Sequence, residues 1–246
     1  MSSQKTQFYI GTSGWSYDHW KGAFYPQNLP KSRWFEYYAE KFPAVEVNAT
    51  FYRTFKDQTY QKWYDQAPDN FKYVFKAPRL ITHQKYLKDV DGVIKSFWKS
   101  ASIVKEKFGL ILLQLAPKTP YDPELLKNAL LTFGDPHKLA IEFRNEQWFT
   151  EEIKDMIKEV GAIFCAVDSP KIQLMDWVTS DTAYLRLHGR KKWYSHNYSD
   201  EELAEVENLI NSMKKSGAKQ FFIFFNNDFE GFAPKNAFDL LKILDK

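Results

Sequence analysis

The sequence predicts an α/β fold: one domain, residues 1–246, in which eight parallel strands close into a barrel inside a layer of helices. Eight short apolar or alternating runs are separated by stretches of helical periodicity, and a chain that alternates strand and helix forms a parallel sheet. No Gly/Ser-rich linker or block of like charge marks a second domain. Eight units in a chain of this length favour a closed (β/α)8 barrel over an open sheet.

The strand predictions depend on where apolar residues fall. In the fifth strand, Leu139 and Ile141 share one face, whereas Glu142 and Arg144 share the other. Gly109–Leu115 is almost continuously apolar, as expected for a strand buried on both faces. The predicted strands are Phe8–Gly11, Ala44–Asn48, Phe71–Lys76, Gly109–Leu115, the first half of Leu139–Trp148, Ala162–Asp168, Thr182–His188 and Gln220–Asn226.

Helical periodicity fills most of the intervals between these strands. Asp57 is expected to cap the helix that ends near Gln66, and Ser199 or Asp200 the helix that runs to Lys215. The interval before Ser180 is short for a full helix. The predicted helices are Lys31–Phe42, Asp57–Gln66, Lys88–Lys107, Pro123–Phe133, Thr150–Val160, Ser199–Lys215 and Ala233–Leu244.

Composition narrows the class of protein. The formal net charge of +3 is too small to imply a nucleic-acid partner by itself. The single cysteine, Cys165, lies in an apolar run and is expected to be a buried small residue. The N-terminal residues lack the apolar core of a signal peptide, and no apolar run is long enough to span a bilayer. We therefore expect a soluble, cytoplasmic protein with no membrane partner.

Aromatic residues are abundant, with 21 Phe, 14 Tyr and 8 Trp. A core of this size cannot easily bury all of them, so some are expected on loops. Trp15, Tyr17 and Trp20 lie in the loop after the first strand. We predict that they form a wall or lid beside the functional site.

Polar side chains lie at the ends of the predicted strands, on the face opposite the aliphatic residues. In α/β barrels the active site lies at this carboxyl end. Buried charges are costly unless paired, and so many ionisable groups exceed what barrel filling needs, which favours a ligand pocket. Glu142 with Arg144, and Asp168 with Arg186, are also interpretable as structural ion pairs. The set is Glu46, Asn48, Lys76, Gln114, Glu142, Arg144, Asp168, Arg186, His188 and Asn226.

The residue types predict a pocket for a small anionic or polyhydroxylated molecule. They also offer groups for acid–base catalysis, with hydrolase, isomerase and lyase all open. A carboxylate and an imidazole in one pocket act as base and acid, which suits Glu142 and His188. Asp168 and Lys76 complete the catalytic candidates. Arg144 and Arg186, with Asn226 nearby, are expected to hold an oxyanion. No GxGxxG or GxxxxGK[ST] motif is present, and no cofactor is implied.

Two rival functions stay open from the sequence. Glu46, Glu142, Asp168 and His188 offer ligands for a divalent cation in metal-dependent phosphodiester or sugar chemistry, although one histidine beside several cationic side chains is a weak metal signature. The loop 190–194, Arg-Lys-Lys-Trp-Tyr, combines cations with stacking rings as nucleic-acid-binding surfaces do.

Seven motifs in register along the chain carry a resemblance to a family. They are IGTSGWSYDHWKGAFYP from Ile10, VEVNATFY from Val45, FKAPRLITH from Phe75, LQLAP from Leu113, AIEFRNEQW from Ala140, YLRLHGR from Tyr184 and FFNND-EG-A-KNA from Phe224. Through these the chain resembles the DUF72 (YecE-like) proteins, a family of unknown function. Ala116 departs from the proline pair expected there.

The resemblance implies a TIM-like barrel and no established activity. Its motifs match most of the strand-end residues above. They also add Trp15, Tyr52 and His83 as ligand-binding candidates. Arg190 joins the ligand-binding candidates because it lies just after the seventh strand, close to Arg186 and His188 in sequence.

Overall fold

A computed structural model describes residues 6–172 and 174–245. Its eight strands follow chain order in a closed barrel with helices around it, and every strand pair whose register is given is parallel, which confirms the predicted fold class. The strands lie within two residues of their predicted bounds. They are β1 (Gln7–Ser13), β2 (Ala44–Val47), β3 (Lys72–Lys76), β4 (Phe108–Gln114), β5 (Leu139–Glu142), β6 (Ile163–Asp168), β7 (Thr182–Leu187) and β8 (Gln220–Phe225).

Helices follow the strands, together with short 3-10 and π turns. The α-helices are α1 (Trp34–Lys41), α2 (Ala49–Tyr52), α3 (Asp57–Gln66), α4 (Asp91–Ala101), α5 (Pro123–Thr132), α6 (Glu151–Val160), α7 (Asp200–Lys215) and α8 (Phe232–Leu244). Ser199 caps α7 in a capping box with Glu202, as predicted. The segment from Leu80 to Gln84 forms a single π turn, a feature often found at functional sites.

Two helix predictions are wrong in detail. The expected helix Lys88–Lys107 ends at Ala101 and gives way to a 3-10 segment in which Lys105 has a φ of 48°. The break lets the Lys107 ammonium turn inward, where it donates to the carbonyls of Tyr64 (2.8 Å) and Ala67 (2.5 Å). Asp57 does not cap α3 but is its first residue. Its carboxylate instead accepts a hydrogen bond from Ser100 Oγ at 2.7 Å.

Contacts within the chain define two compact units. Unit 1 comprises Met1–Glu46 with Ala166–Lys246, and unit 2 comprises Val47–Cys165. The prediction of a single domain over residues 1–246 stays a prediction.

In unit 1, β1 pairs with both β2 and β8, and β7 completes the far side of β8. Gly11 in β1 has no room for a side chain, since a Cβ there would lie 2.1 Å from the carbonyl oxygen of Ala44. The close pairing of β1 with β2 depends on this glycine.

In unit 2, β3, β4 and β5 pair in order, and every residue of β4 is buried. Cys165 is 1% exposed, as predicted for a buried small residue. Across the part of the chain that the structure describes, no helix combines the length and apolar character needed to cross a bilayer.

Candidate functional site

Unit 1 contains a fully buried carboxylate, that of Glu46. Glu46 accepts two hydrogen bonds from the guanidinium of Arg186, from Nε at 2.9 Å and from Nη2 at 2.6 Å. Tyr184 Oη donates to it at 2.6 Å and Ser13 Oγ at 2.7 Å. The two oxygens thus receive four donors, and a two-point arginine contact is among the strongest ion pairs available to a protein.

Strand alternation brings these groups together. Tyr184, Arg186 and His188 lie at every second position of β7 and its exit, so they share one face. Ser13 is the register partner of Glu46 across β1 and β2. The sequence pattern identified Arg186 and His188 but missed Tyr184 and Ser13, although the alternation through Tyr184 was readable.

The imidazole of His188 is buried between two polar groups. Arg186 Nη1 lies 3.3 Å from His188 Nε2, and the side-chain amide of Asn226 lies 2.9 Å from His188 Nδ1. Arginine only donates, so Nε2 accepts in the contact with Arg186. Asn226 Nδ2 is the amide atom beside Nδ1, so a polar group lies at each ring nitrogen.

The loop after β7 is held in one shape by backbone and side-chain contacts. Gly189 has a φ of +103°, and a Cβ there would come within 2.6 Å of Lys192 O. Buried Asn236 accepts from Tyr198 N at 3.1 Å and from Asn227 Nδ2 at 2.8 Å. These contacts tie the loop to the start of α8.

Asp168 pairs with a residue other than the one expected. The sequence suggested Arg186 as its partner, but Arg186 is held by Glu46, and Asp168 instead accepts from Arg190 Nε at 2.8 Å. Burial raises the pKa of Asp168, and the Arg190 guanidinium opposes that rise. Arg190 also contacts Glu205, so both of its neighbours are carboxylates.

Unit 2 contains a second buried carboxylate, Glu142. Gln114, its register partner across β4 and β5, donates to it from Nε2 at 2.7 Å. Arg144 forms an ion pair with it, as the sequence suggested. Phe143, between them in sequence, lies on the opposite face and stacks on Trp148 with ring centroids 5.3 Å apart.

A cluster of cations and rings lies at the carboxyl end of β3 in the same unit. The Lys76 ammonium lies 4.2 Å from the centre of the Phe51 ring, and His83 packs edge-on against that ring at 4.9 Å. Thr82 Oγ1 contacts His83 Nδ1 at 2.8 Å. Tyr52 packs against Phe51 yet remains 69% exposed.

Positive charge dominates around His83, which is half-buried. Burial lowers the pKa of His83 below its usual value, and the nearby cations Lys76, Arg144 and Arg79 lower it further. Glu142 is the only carboxylate among these influences. The imidazole is therefore neutral near pH 7. We call Lys76, Arg79, His83 and Arg144 the cationic cluster.

Other predicted site residues have mixed outcomes. Trp20 is fully buried and its indole donates to Asp228 O at 2.9 Å. Its predicted role in a wall or lid stays a prediction. Tyr17 packs on Trp20, and Trp15 packs edge-on against Phe35. Asn48 lies directly before α2, and its Oδ1 is buried without a hydrogen-bond partner among the described residues.

Several site predictions from the sequence remain predictions. One is the joint action of Glu142 and His188 as acid and base, since the two residues belong to different units. Another is the lid role of Trp15. Within residues 6–172 and 174–245, no group of three or more His, Cys, Asp or Glu side chains is arranged to hold a metal ion. Glu46 and Asp168, two of the candidate ligands, direct their oxygens at arginines instead.

Comparison with known proteins decides the family. The model of a family described as "Protein of unknown function DUF72" matches residues 9–246. The chain belongs to the DUF72 family. This confirms the resemblance carried by the seven motifs.

DUF72 relatives match across nearly the whole chain. The UPF0759 protein YunF of Bacillus subtilis is 27% identical over 96% of this chain and 94% of its own length. A DUF72 protein of Thermotoga maritima (TM1631) has a crystal structure with a TM-score of 0.89 and 28% identity, covering 98% of this chain and all of its own. A DUF72 protein of Enterococcus faecalis (EF0366) reaches a TM-score of 0.81 at 23% identity over 99% of this chain and all of its own, a likeness of fold alone.

Proposed function

We propose that this DUF72 protein binds a small anionic, polyhydroxylated molecule at the cationic cluster of unit 2. One observation carries the proposal: Lys76 and the half-buried His83 share the Phe51 ring, and three cations act on His83 against one carboxylate, Glu142. Partial burial weakens the screening of such charges by water. An anion at this position would offset the excess of positive charge.

The neighbouring groups suit a ligand that also carries hydroxyls. Asn48 Oδ1, buried without a partner among the described residues, would accept a hydrogen bond from a ligand hydroxyl. The exposed Tyr52 ring offers a flat surface for the apolar face of a sugar-like ring. Lys76 and Arg144 would take the anionic group, Arg144 with the planar donors that suit a phosphate or carboxylate.

For proton transfer the arrangement favours His83 over His188. Neutral His83 is partly exposed and can accept a proton from a bound hydroxyl or carbon acid. His188 is fully buried, with Arg186 and Asn226 at its two ring nitrogens. We therefore assign the base to His83, with Glu142 as the group that orients Arg144.

The contacts of Arg190 weigh against the nucleic-acid alternative. This residue, the first cation of the 190–194 loop, is flanked by Asp168 and Glu205. Its charge is largely compensated and unsuited to a phosphate backbone. A strong fall in oligonucleotide binding with added salt would favour the alternative.

Calorimetric titration with inorganic phosphate, glycerol phosphate and glucose 6-phosphate tests the proposal. Arg144→Met and Lys76→Met should each weaken binding by roughly 1.5–3 kcal/mol, the scale of a charged hydrogen bond. Lys99→Met, an exposed change on α4, is the matched control and should bind like the wild type. Absence of saturable binding, or equal affinity in all four proteins, would contradict the proposal.

A further inference from the structure

Unit 2 contains a cavity that the proposed function does not use. It has a volume of about 330 Å³ and lies among the segment after α2, the exit of β3 and the helix α4. This volume is at the small end of the range for ligand pockets. Its walls include Phe55, Leu80, Val93 and Phe97, so the lining is largely apolar. Leu80, one of the lining residues, is 37% exposed.

Arg53 provides the charge that lines this cavity. Its guanidinium carbon lies 4.5 Å from the centre of the Phe55 ring, so the group packs over an aromatic face. Within residues 6–172 and 174–245, its side chain has no ion pair or hydrogen bond. Stacking on a ring leaves the guanidinium edges available as donors.

We propose that this cavity is a binding site for a small aromatic carboxylate. The ring would occupy the apolar space beside Leu80 and Phe97, and the carboxylate would make a two-point contact with Arg53. Charge complementarity selects the anion, since Arg53 is the one charged residue among those described as lining the cavity. The cavity volume limits the ligand to about one ring and a short arm.

The walls of this site are connected with the cationic cluster. Thr50, on the cavity lining, directly precedes Phe51, and its hydroxyl lies 2.7 Å from Lys76 O. Pro78 and Leu80 also line the cavity and flank Arg79. A ligand in the cavity would thus touch both segments that carry the cluster, while occupying a different space from an anion bound beside His83.

The test uses phenylacetate as the probe and the amide chemical shifts of the full chain in two-dimensional NMR as the readout. Phenylacetate should shift the amide signals of Leu80, Val93 and Phe97 saturably. Acetate, which lacks the ring, and benzyl alcohol, which lacks the charge, should each bind at least about tenfold more weakly. Equal affinity for phenylacetate and either partial probe would overturn the proposal, as would the absence of saturable shifts.

Two variants locate the site. Arg53→Met should weaken phenylacetate binding about tenfold or more, whereas Arg33→Met, at an exposed arginine of unit 1, should leave it unchanged. Ser96→Trp should fill the cavity and abolish binding, whereas Lys95→Trp on the same helix should not. Unchanged shifts elsewhere in the spectrum establish that each variant is folded. Identical binding in Ser96→Trp and Lys95→Trp would overturn the site.

Competition separates this proposal from the function proposed above. Saturating inorganic phosphate, which is expected at the cationic cluster, should leave the phenylacetate shifts of Leu80 and Phe97 in place. Displacement of phenylacetate by phosphate would mean that the probe occupies the cluster, and the cavity proposal would fail while anion binding stood.

Discussion

Replacing Arg186 by methionine tests the most heavily bonded ion pair in unit 1. The side chains of Arg186 and Glu46 are 1% and 0% exposed. The substitution keeps most of the side-chain volume but removes two charged hydrogen bonds and the neutralising charge. Glu46 would then lie buried with Tyr184 and Ser13 as its remaining donors among these contacts.

The expected loss of unfolding free energy is about 3 kcal/mol. Removing one partner of a buried pair costs roughly 3–5 kcal/mol, because the other charge is left uncompensated. The hydroxyls of Tyr184 and Ser13 still donate hydrogen bonds to Glu46, so the expected loss lies at the lower end of this range of roughly 3–5 kcal/mol. Adding Glu46→Gln to Arg186→Met removes the orphaned charge. The double variant should therefore be about 2 kcal/mol more stable than the sum of the single losses predicts.

Urea unfolding followed by circular dichroism measures these differences. A loss of about 3 kcal/mol lowers the midpoint by about 1 M or more, given typical urea slopes. Arg33→Met removes an exposed ion pair of the same unit and should change stability by less than about 1 kcal/mol. A loss below 1 kcal/mol in Arg186→Met, or strict additivity in the double variant, would refute the reasoning. Arg186 would then be a candidate for holding ligand, as the sequence suggested.

Further predictions concern the loop after β7, the α7 cap and His83. Asn236→Ala leaves the buried Tyr198 N–H unpaired and should cost roughly 1–3 kcal/mol in urea unfolding. Gly189→Ala forces a side chain into a left-handed backbone and a 2.6 Å contact, and should lower the melting temperature more than Ser199→Ala, a cap loss of about 1 kcal/mol. The pKa of His83 is lower in the folded protein than in the unfolded chain. As pH falls below the usual pKa of 6.5, the unfolded chain therefore takes up the proton first, and the free energy of unfolding decreases. His83→Gln should reduce that fall, and urea midpoints measured across this pH range would detect it.

The eight strands could be predicted because each depends on a local pattern. Gly109–Leu115 is apolar throughout, and the observed β4 is buried at every residue. In the fifth strand, the alternation correctly separated Phe143 from Glu142 and Arg144. Period-two patterning fixes which face a side chain occupies, and burial of one face enforces it.

The pairings of the site could not be predicted, because they depend on distant parts of the chain. Glu46 and Arg186 are 140 positions apart, and nothing local distinguishes this pair from Asp168 with Arg186. Asp57 looked like a cap, but Ser100, 43 positions away, binds its carboxylate. The charge excess around His83 is likewise a sum over β3, its exit loop and β5. The motif FKAPRLITH contains Lys76, Arg79 and His83, but Arg144 and Glu142 come from a separate motif.

The pKa of His83, measured by NMR with and without inorganic phosphate, tests the central claim most directly. Without phosphate the pKa should lie below 6.5, because of burial and the cations Lys76, Arg144 and Arg79. A bound anion stabilises the imidazolium, so saturating phosphate should raise the pKa. Sodium chloride at matched ionic strength controls for screening. If phosphate raises the pKa of His83 no more than sodium chloride does, the cationic cluster is not an anion site.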